Sequence, residues 1–209
     1  MLYNRHFVFL QHGITKDDLS GWLNQKDNID CFVTASLPEY NSIISDSSRY
    51  KYGKKEVVLT GFPRHDSLLA SNHDENKTIL IMPTWRSSIV GEPNKNGSMR
   101  DLNPDFIESS YFNHWYNILH SQKLADIYNS FGYNIIFSPH LNIIPYLELF
   151  NIPSYIDINS YRKIQEVFSS ASLLITDYSS VAFDMAVQSK PTIYYQFDEE
   201  EVFNGTHTY

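Results

Sequence analysis

Short runs of β-branched and aromatic residues alternate with longer amphipathic stretches along almost the whole chain, and this alternation constrains the fold more than any other feature. The runs predict strands at His6–Leu10, Cys31–Thr34, Glu56–Leu59, Thr78–Met82, Tyr133–Phe137, Leu173–Thr176 and Thr192–Tyr195. The stretches between them predict helices at Lys16–Asn24, Leu37–Ser45, Ser109–Phe131, Ile143–Leu149, Arg162–Ser169 and Val181–Gln188. The longest carries Phe112, Trp115, Tyr116, Leu119, Leu124, Ile127, Tyr128 and Phe131 near helical spacing. Strands that alternate with helices predict an α/β protein: parallel sheets, Rossmann-like, with helices on both faces.

The polar stretch SNHDENK, from Ser71 to Lys77, divides the chain. Residues 1–70 read as the end of one α/β domain, and residues 76–209 as most of a second. A further loop, Ser87–Pro104, is rich in Gly, Asn, Pro and Ser, and is long for a compact domain. The first segment has only about three strands, a thin layer for an independent domain. The chain stops in FNGTHTY, with no closing helix expected after the last strand. Both features lead us to expect an incomplete protein.

Composition removes several functions. The net charge is -8, without a Lys/Arg run suited to nucleic acid or a polybasic membrane patch, so an anionic substrate needs a local cationic pocket. Cys31 is the single cysteine, which rules out an intrachain disulfide or a cysteine metal cluster and fits a reducing, cytoplasmic setting. The N-terminal apolar stretch is short and interrupted by Arg5 and His6, unlike a signal peptide. No stretch approaches the ~20 apolar residues of a membrane helix. GxGxxG, P-loop, HExxH and GxSxG patterns are absent, which argues against dehydrogenases, P-loop kinases, zinc proteases and serine hydrolases.

Ligands of open α/β sheets bind beyond the carboxyl ends of strands, so the residues after each strand matter most. After the first come Gln11-His12-Gly13, with Thr15 and Asp18 at capping spacing for a following helix. His12 can accept a proton near neutral pH, or it can bond to nearby backbone for structure alone. After the third strand, Arg64 either reaches an anion or pairs locally with Asp66, and Pro63 can begin a helix. Thr84 and Arg86 follow the fourth strand, and Arg86 offers a rigid fork of donors suited to phosphate. His140 follows the fifth. Asp177, Tyr178, Ser179 and Ser180 follow the sixth and open a helix. Alone, the serines are caps. Beside two His and two Arg at neighbouring strand ends, phosphate binding explains them better.

The segments LQHGITKDDLSGWLN, TGFPRHDSLL, IMPTWR, FSPHLN and LLITDYSSVAFDMAVQSKPTIYY, in that order over about residues 6–197, resemble the CDP-glycerol glycerophosphotransferase family of teichoic-acid primases and polymerases. The resemblance implies a GT-B-like fold of two Rossmann-like domains, with residues 1–70 on the acceptor side and residues 76–209 binding the nucleotide. It implies that His12 is the general base and that His140 is a second catalytic residue. Asp177, Ser179 and Ser180 would contact the donor phosphates. Thr84, Arg86 and Arg64 complete the expected substrate-binding set. HGITKDD departs from the HGTPLK-like sequence of many teichoic polymerases, which points to a divergent branch serving capsule rather than wall polymers.

The implied reaction is attack of an acceptor hydroxyl on the β-phosphorus of CDP-glycerol, with release of CMP. Asp177 then orients its neighbours or donor hydroxyls, since a carboxylate beside phosphate repels it. The implied partners are a CDP-activated polyol phosphate and a lipid-linked or polymeric acceptor, and no nucleic acid. Peripheral association with the inner face of the plasma membrane would come through regions outside this chain. No cofactor is called for. A divalent cation stays open, although no set of carboxylates converges in sequence. Another nucleotide-sugar-dependent GT-B enzyme (a glycosyltransferase or epimerase) and an inactive nucleotide-binding remnant are the alternatives.

Overall fold

The structure, a computed structural model, describes residues 5–72, 77–92, 100–159 and 164–205. It divides into two compact units, one within Met1–Ala70 and one within Ser71–Thr206. Parts of the loops expected at 71–77 and 87–104, the expected helix start at Arg162, and the end of FNGTHTY lie outside the described residues.

The first unit holds three parallel strands, β1 (Val8–Phe9), β2 (Cys31–Thr34) and β3 (Val57–Leu59), in that order across the sheet. Its helices are α1 (Ser20–Leu23), α2 (Leu37–Ile44) and α3 (Pro63–Ala70). Phe32 of the central strand is fully buried among Leu23, Ile43, Tyr52 and Val57. The helix expected at Lys16–Asn24 shrinks to α1, because Thr15 and Asp18 do not cap it. Thr15 N donates to Glu39 Oε1 at 2.8 Å, and Asp18 Oδ1 accepts from Ser20 N at 2.9 Å. Local bonding of this kind competes with a helical turn.

The second unit is a five-stranded parallel sheet in the order β6-β5-β4-β7-β8. The strands are β4 (Thr78–Ile81), β5 (Asn134–Phe137), β6 (Ile156–Ile158), β7 (Leu173–Thr176) and β8 (Thr192–Tyr194). All four residues of β4 are buried, as a central parallel strand covered on both faces requires. Register pairs Ile79 with Ile135 on one side and with Leu173 on the other. Trp115, Phe106, Phe137 and Phe150 fill the main core.

The long helix expected at Ser109–Phe131 is two helices, α4 (Ser110–Leu119) and α5 (Gln122–Phe131). Ser121 adopts an extended backbone, and its side chain accepts from Leu124 N, which starts α5 afresh. Gly132, at φ 69°, ends α5 in the left-handed conformation. The helix expected at Ile143–Leu149 is a 3-10 segment, Ile144–Phe150, opened by a proline. The remaining helices are α6 (Ile164–Ser170), α7 (Val181–Val187) and α8 (Glu199–Gly205). The last corrects the expectation that no helix follows β8. Three glutamates occupy its first turn, where the helix dipole favours negative charge, and Val202 is buried against the unit.

Candidate active site

In the second unit the chain leaves β4 for β5 on one side and returns to β7 on the other, so strand order reverses between β4 and β7. Ligand crevices of open sheets form at this reversal. The segments leaving the two strands carry Thr84, Trp85 and Arg86 on one side and Asp177 to Ser180 on the other.

A buried network locks these segments together. Asp177 is fully buried, and its Oδ1 accepts from Thr84 N (2.9 Å), Thr84 Oγ1 (2.7 Å) and Tyr178 N (2.7 Å). Its Oδ2 pairs with Arg86 Nη2 at 2.9 Å. Arg86, 6% exposed, also grips Asp198 through Nε (2.8 Å) and Nη2 (3.1 Å), and its Nη1 donates to Thr84 Oγ1 (2.7 Å). Burial pulls the Arg86 pKa down, but bonds and charge from Asp198 and Asp177 outweigh it and raise the pKa above its ordinary value. Its guanidinium lies 5.0 Å from the ring centre of Tyr178. Burial, and next the charge of Asp198, push the Tyr178 hydroxyl above its ordinary range. Every guanidinium nitrogen is thus engaged within the protein. Arg86 and Asp177 tie the segments that leave β4 and β7 to each other.

Ser179 and Ser180 stand at the end of this network, both partly exposed, immediately before α7. Ser180 makes no side-chain cap bond, and Ser179 Oγ accepts only a long bond from Val181 N at 3.4 Å. His140, beyond β5, stacks on Trp85 with ring centres 5.5 Å apart. Burial lowers its pKa, so the neutral ring is favoured. Its Nδ1 accepts from Asn142 N at 3.2 Å, which leaves the proton of the neutral ring on Nε2. The Arg100 guanidinium also lies over Trp85, at 4.9 Å.

In the first unit, His12 is exposed on the turn after β1, with its ring stacked on Trp22 at 6.5 Å. Arg64 Nη1 donates to the His12 carbonyl, and the guanidinium lies over Phe62 at 5.1 Å. Gln11, just before His12, takes φ 66°. This left-handed backbone costs a non-glycine residue about 1–2 kcal/mol. His12 and Arg64 therefore meet in one unit; Thr84, Arg86 and Asp177 meet in the other, with Ser179, Ser180 and His140 beside them.

The bonding of Asp198 to Arg86, and of Gln11 to Glu39 beside His12, was not legible in the sequence. Asp198 opens an acidic run that resembles a solvated face, and Glu39 stands three residues after Ser36, where capping explains it. Among the described residues no group of three or more His, Cys, Asp or Glu side chains is placed to hold a metal ion. No helix among them is long and apolar enough to cross a membrane.

Two parallel α/β units with polar side chains gathered at the strand ends define a Rossmann-like, GT-B-like class of fold. The model of the CDP-glycerol:poly(glycerophosphate) glycerophosphotransferase family matches residues 7–206, and the chain belongs to that family, as its motifs had indicated. It is 40% identical over 204 residues to the minor teichoic acid biosynthesis protein GgaB of Bacillus subtilis (strain 168), which covers 97% of this chain and 22% of GgaB. It is 38% identical over 169 residues to the teichoic acid ribitol-phosphate polymerase TarL of Staphylococcus aureus, covering 71% of this chain and 26% of TarL. The solved structure of the wall teichoic acid polymerase TagF superposes with a TM-score of 0.62 at 18% identity, covering 97% of this chain and 53% of that one, which shows the shared fold. The chain thus spans about a fifth of GgaB and about half of TagF.

Proposed function

We propose that this chain transfers a polyol phosphate, glycerol phosphate in the first instance, from a CDP-activated donor to a hydroxyl of a cell-surface polymer or its lipid-linked primer. The acceptor oxygen forms a bond to the β-phosphorus while the bridging bond to CMP breaks. The acceptor proton passes to His12, and CMP leaves with the bridging oxygen. His12 suits the part because its ring is exposed while its backbone is held by Arg64. Such base catalysis contributes about 10²–10⁴-fold.

The second unit is the donor side. The observation that carries this reading is the locking of the β4 and β7 ends to each other by Thr84, Arg86 and Asp177, at the reversal of strand order where ligand crevices of open sheets form. Ser179 and Ser180 offer hydroxyls there to the donor phosphates. His140, neutral with its proton on Nε2, is suited to donate to a phosphate oxygen as charge develops on the leaving CMP. The depression of about 340 Å³ beside Arg86 is lined by Asp198 and Glu201, whose charges repel a diphosphate, which favours the serine side of the crevice. Asp177 and Arg86 act by positioning. No step calls for a metal ion, and a divalent cation is an open addition. The work is cytoplasmic in this reading, and a lipid-linked acceptor would bring it to the inner face of the plasma membrane.

The test is CMP release from CDP-glycerol by the full-length protein. His12→Ala is expected to lower kcat by about 10²–10⁴-fold with donor affinity unchanged. Transfer by His12→Ala near the wild-type rate would remove the base assignment.

A further inference from the structure

We infer that Glu39 and Gln11 are positioning residues that set the imidazole of His12, a role that rests on reading His12 as the base. Gln11 holds φ 66°, a conformation that favours glycine, directly before His12. Its side chain gives a reason for a glutamine there. Gln11 Nε2 donates to Glu39 Oε1 at 3.3 Å and to Thr15 Oγ1 at 3.2 Å. Glu39 is only 3% exposed. Its Oε1 also accepts from Thr15 N at 2.8 Å, and its Oε2 accepts from Ala35 N at 2.9 Å. One buried carboxylate therefore ties both ends of the His12 turn to the segment between β2 and α2.

Helix capping alone does not require this arrangement. Ser36 Oγ does accept from Glu39 N, at 3.3 Å, as in a capping box. In that box the glutamate side chain would return to the backbone N–H of Ser36. Here it reaches past the cap to Gln11 and Thr15. Arg64 holds the His12 carbonyl, and Trp22 stacks on the ring. The turn is thus fixed at Gln11, His12 and Thr15 while the imidazole itself stays exposed. Strained backbone kept in place by its surroundings gathers at functional sites, because it fixes a reacting group.

The experiment compares Gln11→Gly, Glu39→Gln and His12→Ala in the full-length protein. Gln11→Gly relieves the left-handed residue but removes both side-chain bonds, so stability and activity should part. Tm should equal or exceed that of the wild type. The kcat for CMP release should fall about ten-fold or more, with KM for CDP-glycerol unchanged. Glu39→Gln should lower kcat similarly, and should shift or broaden the His12 imidazole resonances in histidine-labelled protein. Wild-type kcat in Gln11→Gly, or unmoved His12 resonances in folded Glu39→Gln, would overturn the inference while leaving the transfer reading intact. Full transfer by His12→Ala would instead sink the base reading, and the resonances, which need no turnover, would then decide whether Glu39 sets His12.

Discussion

Arg86 shows how a residue whose type suits an anion can have its donors taken up inside the protein. Its fork of donors suits phosphate, yet the fork is spent on Asp198, Asp177 and Thr84. Removing it would leave two buried carboxylates facing each other, so Arg86→Met is expected to cost about 3–5 kcal/mol of stability, read from denaturant midpoints. A loss under about 1 kcal/mol would mean that the network is not held by charge. His140 makes a different prediction. Burial depresses its pKa below the ordinary 6.5, so below that pH the unfolded chain binds a proton that the folded chain refuses. Stability from this group is therefore full above about pH 6.5 and falls as pH drops towards the folded pKa, where the loss levels off. Tm followed from pH 7.5 to 5 should fall less steeply in His140→Gln than in wild type, and equal slopes would contradict it. The sequence placed His12, His140 and the serines at strand ends by position alone. It left Asp198 and Glu39 unseen, because a buried carboxylate is recognised by the distant N–H groups that meet it, and those are set by tertiary structure.

Among the elements, the strands were the most legible, since buried parallel strands read as continuous apolar runs. β2 and β7 match their predicted spans, whereas β6 was missed. It has three residues, only Ile156 of which is buried, so it carries almost no pattern. The break between α4 and α5 was missed for the opposite reason. The aromatic stripe continues across it, and one serine decides the matter through its backbone and side chain. Ser121→Ala is expected to destabilise the second unit by about 1 kcal/mol, measured by chemical denaturation. An unchanged midpoint would show that packing of the two helix faces, rather than the cap, sets the break. α8 was hidden by its acidic first turn, which reads as solvated chain until Asp198 is seen bound to Arg86.

At the scale of the molecule, the two units divide the proposed chemistry. The first holds an exposed imidazole on a strained, braced turn; the second holds a buried network of Thr84, Arg86 and Asp177 at the reversal of strand order. Parallel α/β architecture followed from strand–helix alternation alone, and the order of the motifs gave the family. The polyol was legible in neither. The central claim is that the crevice takes a cytidine-activated donor. The most direct test is a thermal titration of the folded protein with CDP-glycerol, CDP-ribitol, CMP and UMP. A ligand bound only by the native state stabilises it by ~2.7 kcal/mol at 100 times its Kd. The prediction is a saturable rise in Tm with the cytidine ligands, largest with a CDP-polyol, and little with UMP. Equal shifts with UMP and CMP, or none with any ligand, would contradict it.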